Sequence, residues 1–137
     1  MFDQTAFIQG ATAFLIAFGL ACVFLVAFQL IYQATTPQEE RKLIREGNVA
    51  AALTFGGAIV GFALPVSSAL SQTDSLVEFA AWAALAGVVQ IVAALVIRML
   101  VIKDVHHRIE RGEVATGVYL AAVAIAIGLI NAASMTY

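Results

Sequence analysis

ERKLIREGNVAAALTFGGAIVGFALPVSSAL, residues 40–70, decides how the whole chain is read. Five of its first seven residues are charged, and then, from Asn48 to Leu70, none is. A helix rises about 1.5 Å per residue, and about 20 apolar residues cross about 30 Å of hydrocarbon. The charge-free run has that length. Its apolar residues are continuous, whereas the strands of a membrane barrel alternate over about 10 residues. Inside lipid, helices and closed barrels are the structures that satisfy every backbone amide. The segment therefore reads as a polar junction followed by a transmembrane helix.

Working outward, three more stretches have the same character. One lies between Asp3 and Glu39, with its apolar body from about Phe7 to Tyr32; one is Phe79 to Ile97, between Glu78 and Arg98; one runs from Val114 to about Ala133, after Glu113. The expected fold is all-α: a polytopic membrane protein with four transmembrane helices in a bundle, forming a single domain over residues 1–137. Composition agrees. The 137 residues are 62% hydrophobic and 12% charged, against about 45–50% and about 25% in soluble domains. A domain this small cannot hide such an excess from water. Disorder requires low hydrophobicity, and a disulfide scaffold needs more than the one cysteine, Cys22. A net charge of −2 advertises no nucleic-acid partner. The first span carries Asp3 and no Lys or Arg ahead of it, unlike the basic start of a secretory signal peptide.

All seven Lys and Arg lie in two places. Arg41, Lys42 and Arg45 fall between spans one and two; Arg98, Lys103, Arg108 and Arg111 fall at or after the end of span three. Short basic connections stay in the cytoplasm. The expectation is that both termini face the outside and both basic loops the cytoplasm. The same pattern, two helices around a basic connection, occurs twice. Ile44, Gly47, Val49 and Ala50 recur 65 residues later as Ile109, Gly112, Val114 and Ala115. Two tandem repeats are expected, about 7–70 and about 77–135, in parallel orientation. Each junction, Gln38 to Glu46 and Lys103 to Arg111, reads as a short interfacial helix with its apolar residues (Leu43, Ile44, Val105, Ile109) toward lipid. Gly47 and Gly112 then end it. Asn48 is an N-cap for the next helix, and Glu113, at the equivalent place, complements a helix dipole. Capping explains these residue types; a ligand held in the elbow is the functional alternative.

Glu40, Ile44, Gly47, Asn48, Ala50 and Ala52 spell E-x3-I-x2-G-N-x-A-x-A. That phrase, placed before the second of four spans and echoed before the fourth, resembles the family called domain of unknown function 350, the YjfL-like small bacterial inner-membrane proteins. The resemblance covers nearly the whole chain. It implies a membrane fold and an inner-membrane location, and carries no established activity. The second copy departs from the pattern, with Glu113 where the family often has Asn and Gly117 where Ala is common.

Candidate polar groups within the spans are Gln90 near mid-bilayer, Gln29 toward one end of span one, and Asn131 and the Ser67–Ser68 pair toward the ends of theirs. No Asp, Glu, His, Lys or Arg lies deep, which counts against a pump or proton relay. Gln90 reads as an interhelical hydrogen-bond donor or, more sharply, as a pore-lining amide. Pro65 removes a hydrogen bond to the Gly61 carbonyl; nearby hydroxyls or adjacent helices commonly repair such a gap. Small residues sit at close-packing spacing: Gly57 and Gly61, Ala83 and Gly87, Ala124 and Gly128, and Ala13, Ala17 and Ala21. His106, His107, Glu110 and Asp104 invite a metal reading, with His106 and Glu110 on one helical face, yet a third ligand is not evident, so neither metal nor other cofactor is expected. No catalytic motif is present.

Two functions follow as expectations. The first is a non-enzymatic structural or assembly subunit, surrounded by membrane lipids, that forms a homo-oligomer or docks on a larger membrane complex. It draws on the density of small-residue faces. The second is a small channel or carrier for an ion or small solute, drawing on the repeat, Pro65 and Gln90.

Overall fold

The computed structural model describes residues 1–36 and 40–135. The helices are α1 (Gln4–Thr35), α2 (Glu40–Arg45), α3 (Val49–Gln72), α4 (Leu76–Leu100), α5 (Val105–Glu110) and α6 (Val114–Ala133). Four of them, α1, α3, α4 and α6, are long and apolar enough to span a bilayer. They are the four expected spans, and polar side chains cap the starts of α1, α3 and α4. Asp3 accepts from the amides of Thr5 and Ala6, Asn48 from Ala51, and Ser75 from Val77. Each cap satisfies amides that the first helical turn leaves without a partner.

The centre of the bundle is the α3–α6 contact. Both helices leave a junction at the same end and run parallel: Gly117 lies against Ala50, Gly57 against Ala121, and Gly61 against Ala124 and Gly128. A methyl group on Gly117 would stand 2.7 Å from the Ala50 carbonyl oxygen. Small residues matter here because helices in lipid gain their association from close backbone approach rather than from a hydrophobic drive. The Gly61 carbonyl, deprived of its partner by Pro65, faces the α-carbon of Gly128. The Ser68 hydroxyl donates instead to the Ala132 carbonyl on α6, 3.2 Å away. The adjacent helix, and not the serines, therefore covers the proline gap, and α3 stays one continuous helix.

α4 lies antiparallel to α6 and also packs on α3. Ala83 and Ala86 are buried, and Gly87 leaves room for the Phe62 ring, which a methyl group there would meet at 3.3 Å. The last helix, α1, packs over half of its length. Phe24 and Phe28 join the core, with the Phe28 and Phe62 rings stacked 4.4 Å apart. Its first half leaves the bundle, and among the described residues a methyl group added at Gly10 or Gly19 would meet nothing within 4 Å.

The small pairs Gly57/Gly61, Ala83/Gly87 and Ala124/Gly128 thus line contacts within this one chain. The α3–α6 approach and the Phe62 ring take up these faces within one copy of the chain.

A candidate site at the junction end

The two junctions lie at one end of the bundle and share a hydrogen-bond pattern. The amides of Glu46, Gly47 and Asn48 donate to the carbonyls of Lys42, Ile44 and Leu43; those of Arg111, Gly112 and Glu113 donate to His107, Ile109 and Arg108. Each bond has its counterpart 65 residues along the sequence. Gly47 and Gly112 take φ of +85° and +77°, left-handed values that glycine adopts without the Cβ clash other residues suffer. Residues 38 and 39 of the first expected junction segment lie outside the described residues.

The short helices do not turn their apolar residues to lipid. Val105 and Ile109 are buried beneath Ala50, Ala51 and Leu120, and Leu43 packs on the same cluster. The small Ala50–Ala51 surface at the start of α3 gives these side chains a closer fit inside than the interface offers outside. Ile44 is the exception, 36% exposed.

Asn48 ties the junctions together. Its Oδ1 caps α3, while its Nδ2 donates to the Ile109 carbonyl at 2.7 Å. One side chain so satisfies the first turn of one helix and the last turn of another. Glu113 cannot repeat this, having no donor. It accepts from the Thr116 hydroxyl at 2.8 Å and the Arg108 guanidinium at 3.0 Å. The Thr116 hydrogen bond, above all, holds its carboxyl below the usual carboxylate range; desolvation opposes it, and Arg108 and Arg111 add to the lowering. Asn48→Asp keeps the cap but sets a carboxylate against the Ile109 carbonyl; Asn48→Ala loses both bonds. Both variants are expected to melt earlier, by about 1–2 kcal/mol for alanine. Unfolding followed by circular dichroism in detergent checks this, and an unchanged midpoint for both would refute the bridging role.

A buried ion pair was not legible in the sequence. Glu40, 1% exposed, faces Arg98 across 3.7 Å, and Arg98 donates to the Tyr32 hydroxyl at 2.7 Å. The Arg98 guanidinium also lies 5.7 Å from the centre of the Tyr32 ring, a cation–π distance. α1, α2 and α4 are thereby joined through charge. Glu40 belongs to the quoted motif and Arg98 bounds a span, but their pairing depends on α2 folding back over the bundle. The one available signal was a lone Arg at the edge of an apolar run, two residues before the end of α4 at Leu100.

Above this pair a cavity of about 20 Å³, room for roughly one water, is lined by Tyr32, Thr54, Gln90, Arg98 and Ala124. Gln90 donates to the Ala124 carbonyl at 2.8 Å. Asn131 returns the bond, from α6 to the Ala86 carbonyl of α4, at 3.1 Å. Two amides therefore clip α4 to α6, one in each direction. Gln29 is half-buried on α1. The structure thus gathers Glu40, Asn48, Ile109, Gly47, Gly112 and Glu113 at the junction end, and keeps Gln90 and Asn131 between helices.

Comparison with known proteins agrees with this architecture. Residues 6–135 match the family described as Domain of Unknown Function (DUF350). The chain is 33% identical over 125 residues to the UPF0719 inner membrane protein YjfL of Escherichia coli strain K12, covering 91% of this chain and 94% of that one. It is 24% identical over 119 residues to the UPF0719 transmembrane protein YshE of Bacillus subtilis strain 168, covering 86% and 89%. No solved structure matches.

Proposed function

This chain belongs to the DUF350 family of membrane proteins, and we propose that it acts as a non-enzymatic assembly subunit of the inner membrane that pairs with a second copy of itself through α1. One observation carries the reading. α1 has 32 residues, about 48 Å of helix, and its first half contacts little of the chain. At 100° per residue, Ala6, Gly10, Ala13 and Ala17 fall within about 60° of arc. Phe24 and Phe28, which join the core, continue that same face further down. Ile8 and Leu15, exposed, take the opposite side. A face that packs as aromatic residues inside the bundle thus continues as small residues outside it, which is the surface another helix approaches closely. A two-fold dimer, in which one patch pairs with its own copy, is the commonest form of homo-oligomer. The reading places both termini in the periplasm, the junctions in the cytoplasm and membrane lipid around the remaining faces, on the distribution of Lys and Arg.

One cysteine-scanning experiment tests both points. In a Cys22→Ala background, Gly10→Cys and Ala13→Cys are expected to form disulfide-linked dimers in oxidised membranes, several-fold more than Ile8→Cys and Leu15→Cys. Thr5→Cys is expected to react with a membrane-impermeant maleimide from the periplasmic side. Equal cross-linking on both faces, or none, would refute the pairing; protection of Thr5→Cys would refute the orientation.

A second reading, a small channel or carrier, is supported by the cavity between Arg98 and Gln90. It requires ion or solute flux in reconstituted vesicles above that of empty liposomes, and flux equal to theirs rules it out.

A further inference from the structure

We propose that His106, His107 and Glu110 form a binding site for a divalent transition-metal ion of the zinc class on α5. His106 Nε2 stands 3.2 Å from Glu110 Oε1, and His107 Nδ1 stands 4.0 Å from Glu110 Oε2. One ligand atom from each of the three residues lies within 4.8 Å of the others. Adjacent residues on a helix diverge by about 100°, so two neighbouring histidines rarely serve one centre. Here Glu110 follows them by four and three residues, and its carboxylate sits between both rings. His107 is therefore the third ligand that sequence spacing did not reveal.

Metal bonds of about 2.0–2.2 Å require the donor atoms to draw somewhat closer. The movement needs little repacking: the side chains of His107 and Glu110 are 67% and 44% exposed. Two imidazoles and one carboxylate favour zinc, nickel, copper or cobalt over magnesium and calcium, which prefer all-oxygen sites. Three protein ligands leave a position open to water. The other junction cannot do the same. Arg41, Lys42 and Arg45 occupy its matching positions, 65 residues earlier, and cations repel a metal. A bound ion would also brace α5, which at six residues is too short to hold its own helix. The site lies one residue from Ile109, whose carbonyl accepts from Asn48.

The proposal is tested on the full chain in detergent, purified without a polyhistidine tag. Zn²⁺ is titrated calorimetrically, and Co²⁺ is followed through its visible absorption. Wild type is expected to bind one ion per chain at submillimolar concentration. His107→Ala and Glu110→Gln are each expected to weaken binding by about tenfold or more, and the His106→Ala/His107→Ala double variant to lose it, with the cobalt absorption. Matching elution and melting profiles show that these exposed variants fold. Absence of saturable binding to wild type overturns the site, as does unchanged affinity in His107→Ala or in the double variant.

Discussion

Gly61→Leu is expected to break the bundle, lowering stability by about 3 kcal/mol, the upper end of what an overfilled core costs. The α3–α6 contact leaves no room for a side chain there: the first added carbon already meets the Ala124 backbone and stands 2.7 Å from Gln90 Nε2. Leucine would force the helices apart along their length, with loss of the Gly57–Ala121 and Gly61–Gly128 approaches and of the Gln90 hydrogen bond to Ala124. An opposing gain exists, since leucine is a better helix former than glycine by about 1 kcal/mol, but it is the smaller effect. Gly56→Leu provides the control. Gly56 lies five residues earlier on the same helix, yet among the described residues nothing lies within 4 Å of its added carbon, so the same propensity gain comes without the clash. Thermal unfolding in detergent should therefore separate two glycines of one helix, with Gly61→Leu melting far below wild type and Gly56→Leu at or above it. Equal midpoints for the two variants would show that the close approach of α3 and α6 does not hold the fold together.

That contrast also marks the boundary of what the sequence discloses. The four spans, the two left-handed glycines and the Asn48 cap were legible, because each follows from local chemistry: run length, a helix end, a side chain reaching its own backbone. The partner of each small-residue face was not. Gly57, Gly61 and Gly87 look alike at four-residue spacing, although two meet α6 and the third meets the Phe62 ring on α3. Periodicity tells which residues share a face and is silent on what approaches it. The inward turn of Val105 and Ile109 was hidden for the same reason. A short amphipathic helix has one apolar side, and lipid or a bundle end can cover it equally well. Charge patterning misled in one respect: Arg98 marks the edge of an apolar run, and such an arginine ordinarily reaches outward to water. Its side chain is instead only 10% exposed, because α2 brings Glu40 over it.

The ion pair that results gives an asymmetric expectation. Arg98→Met should destabilise the protein by about 3–5 kcal/mol, since it takes the Arg98 charge away from a carboxylate buried in the bundle. Glu40 cannot escape by rotation: its side chain is fully buried, on a helix pinned by the Gly47 turn. Glu40→Gln should cost less. Arg98 keeps the Tyr32 hydroxyl and ring, and its long side chain lies near enough to the polar end of α4 to reach water by a change of rotamer. The 3.7 Å separation supports the same order, being an ion-pair distance too long for a strong hydrogen bond, so its loss from the arginine side is mainly a loss of charge attraction. Adding Glu40→Gln to Arg98→Met removes the buried negative charge as well, and the double variant should regain most of the stability the single change lost. The measurement is a double-mutant cycle on unfolding midpoints in one detergent at neutral pH. If Glu40→Gln proves as damaging as Arg98→Met, or if the double variant is no better than Arg98→Met alone, the pair does not carry the docking of α2, and the Val105–Ile109 cluster would have to hold the junction end by packing alone.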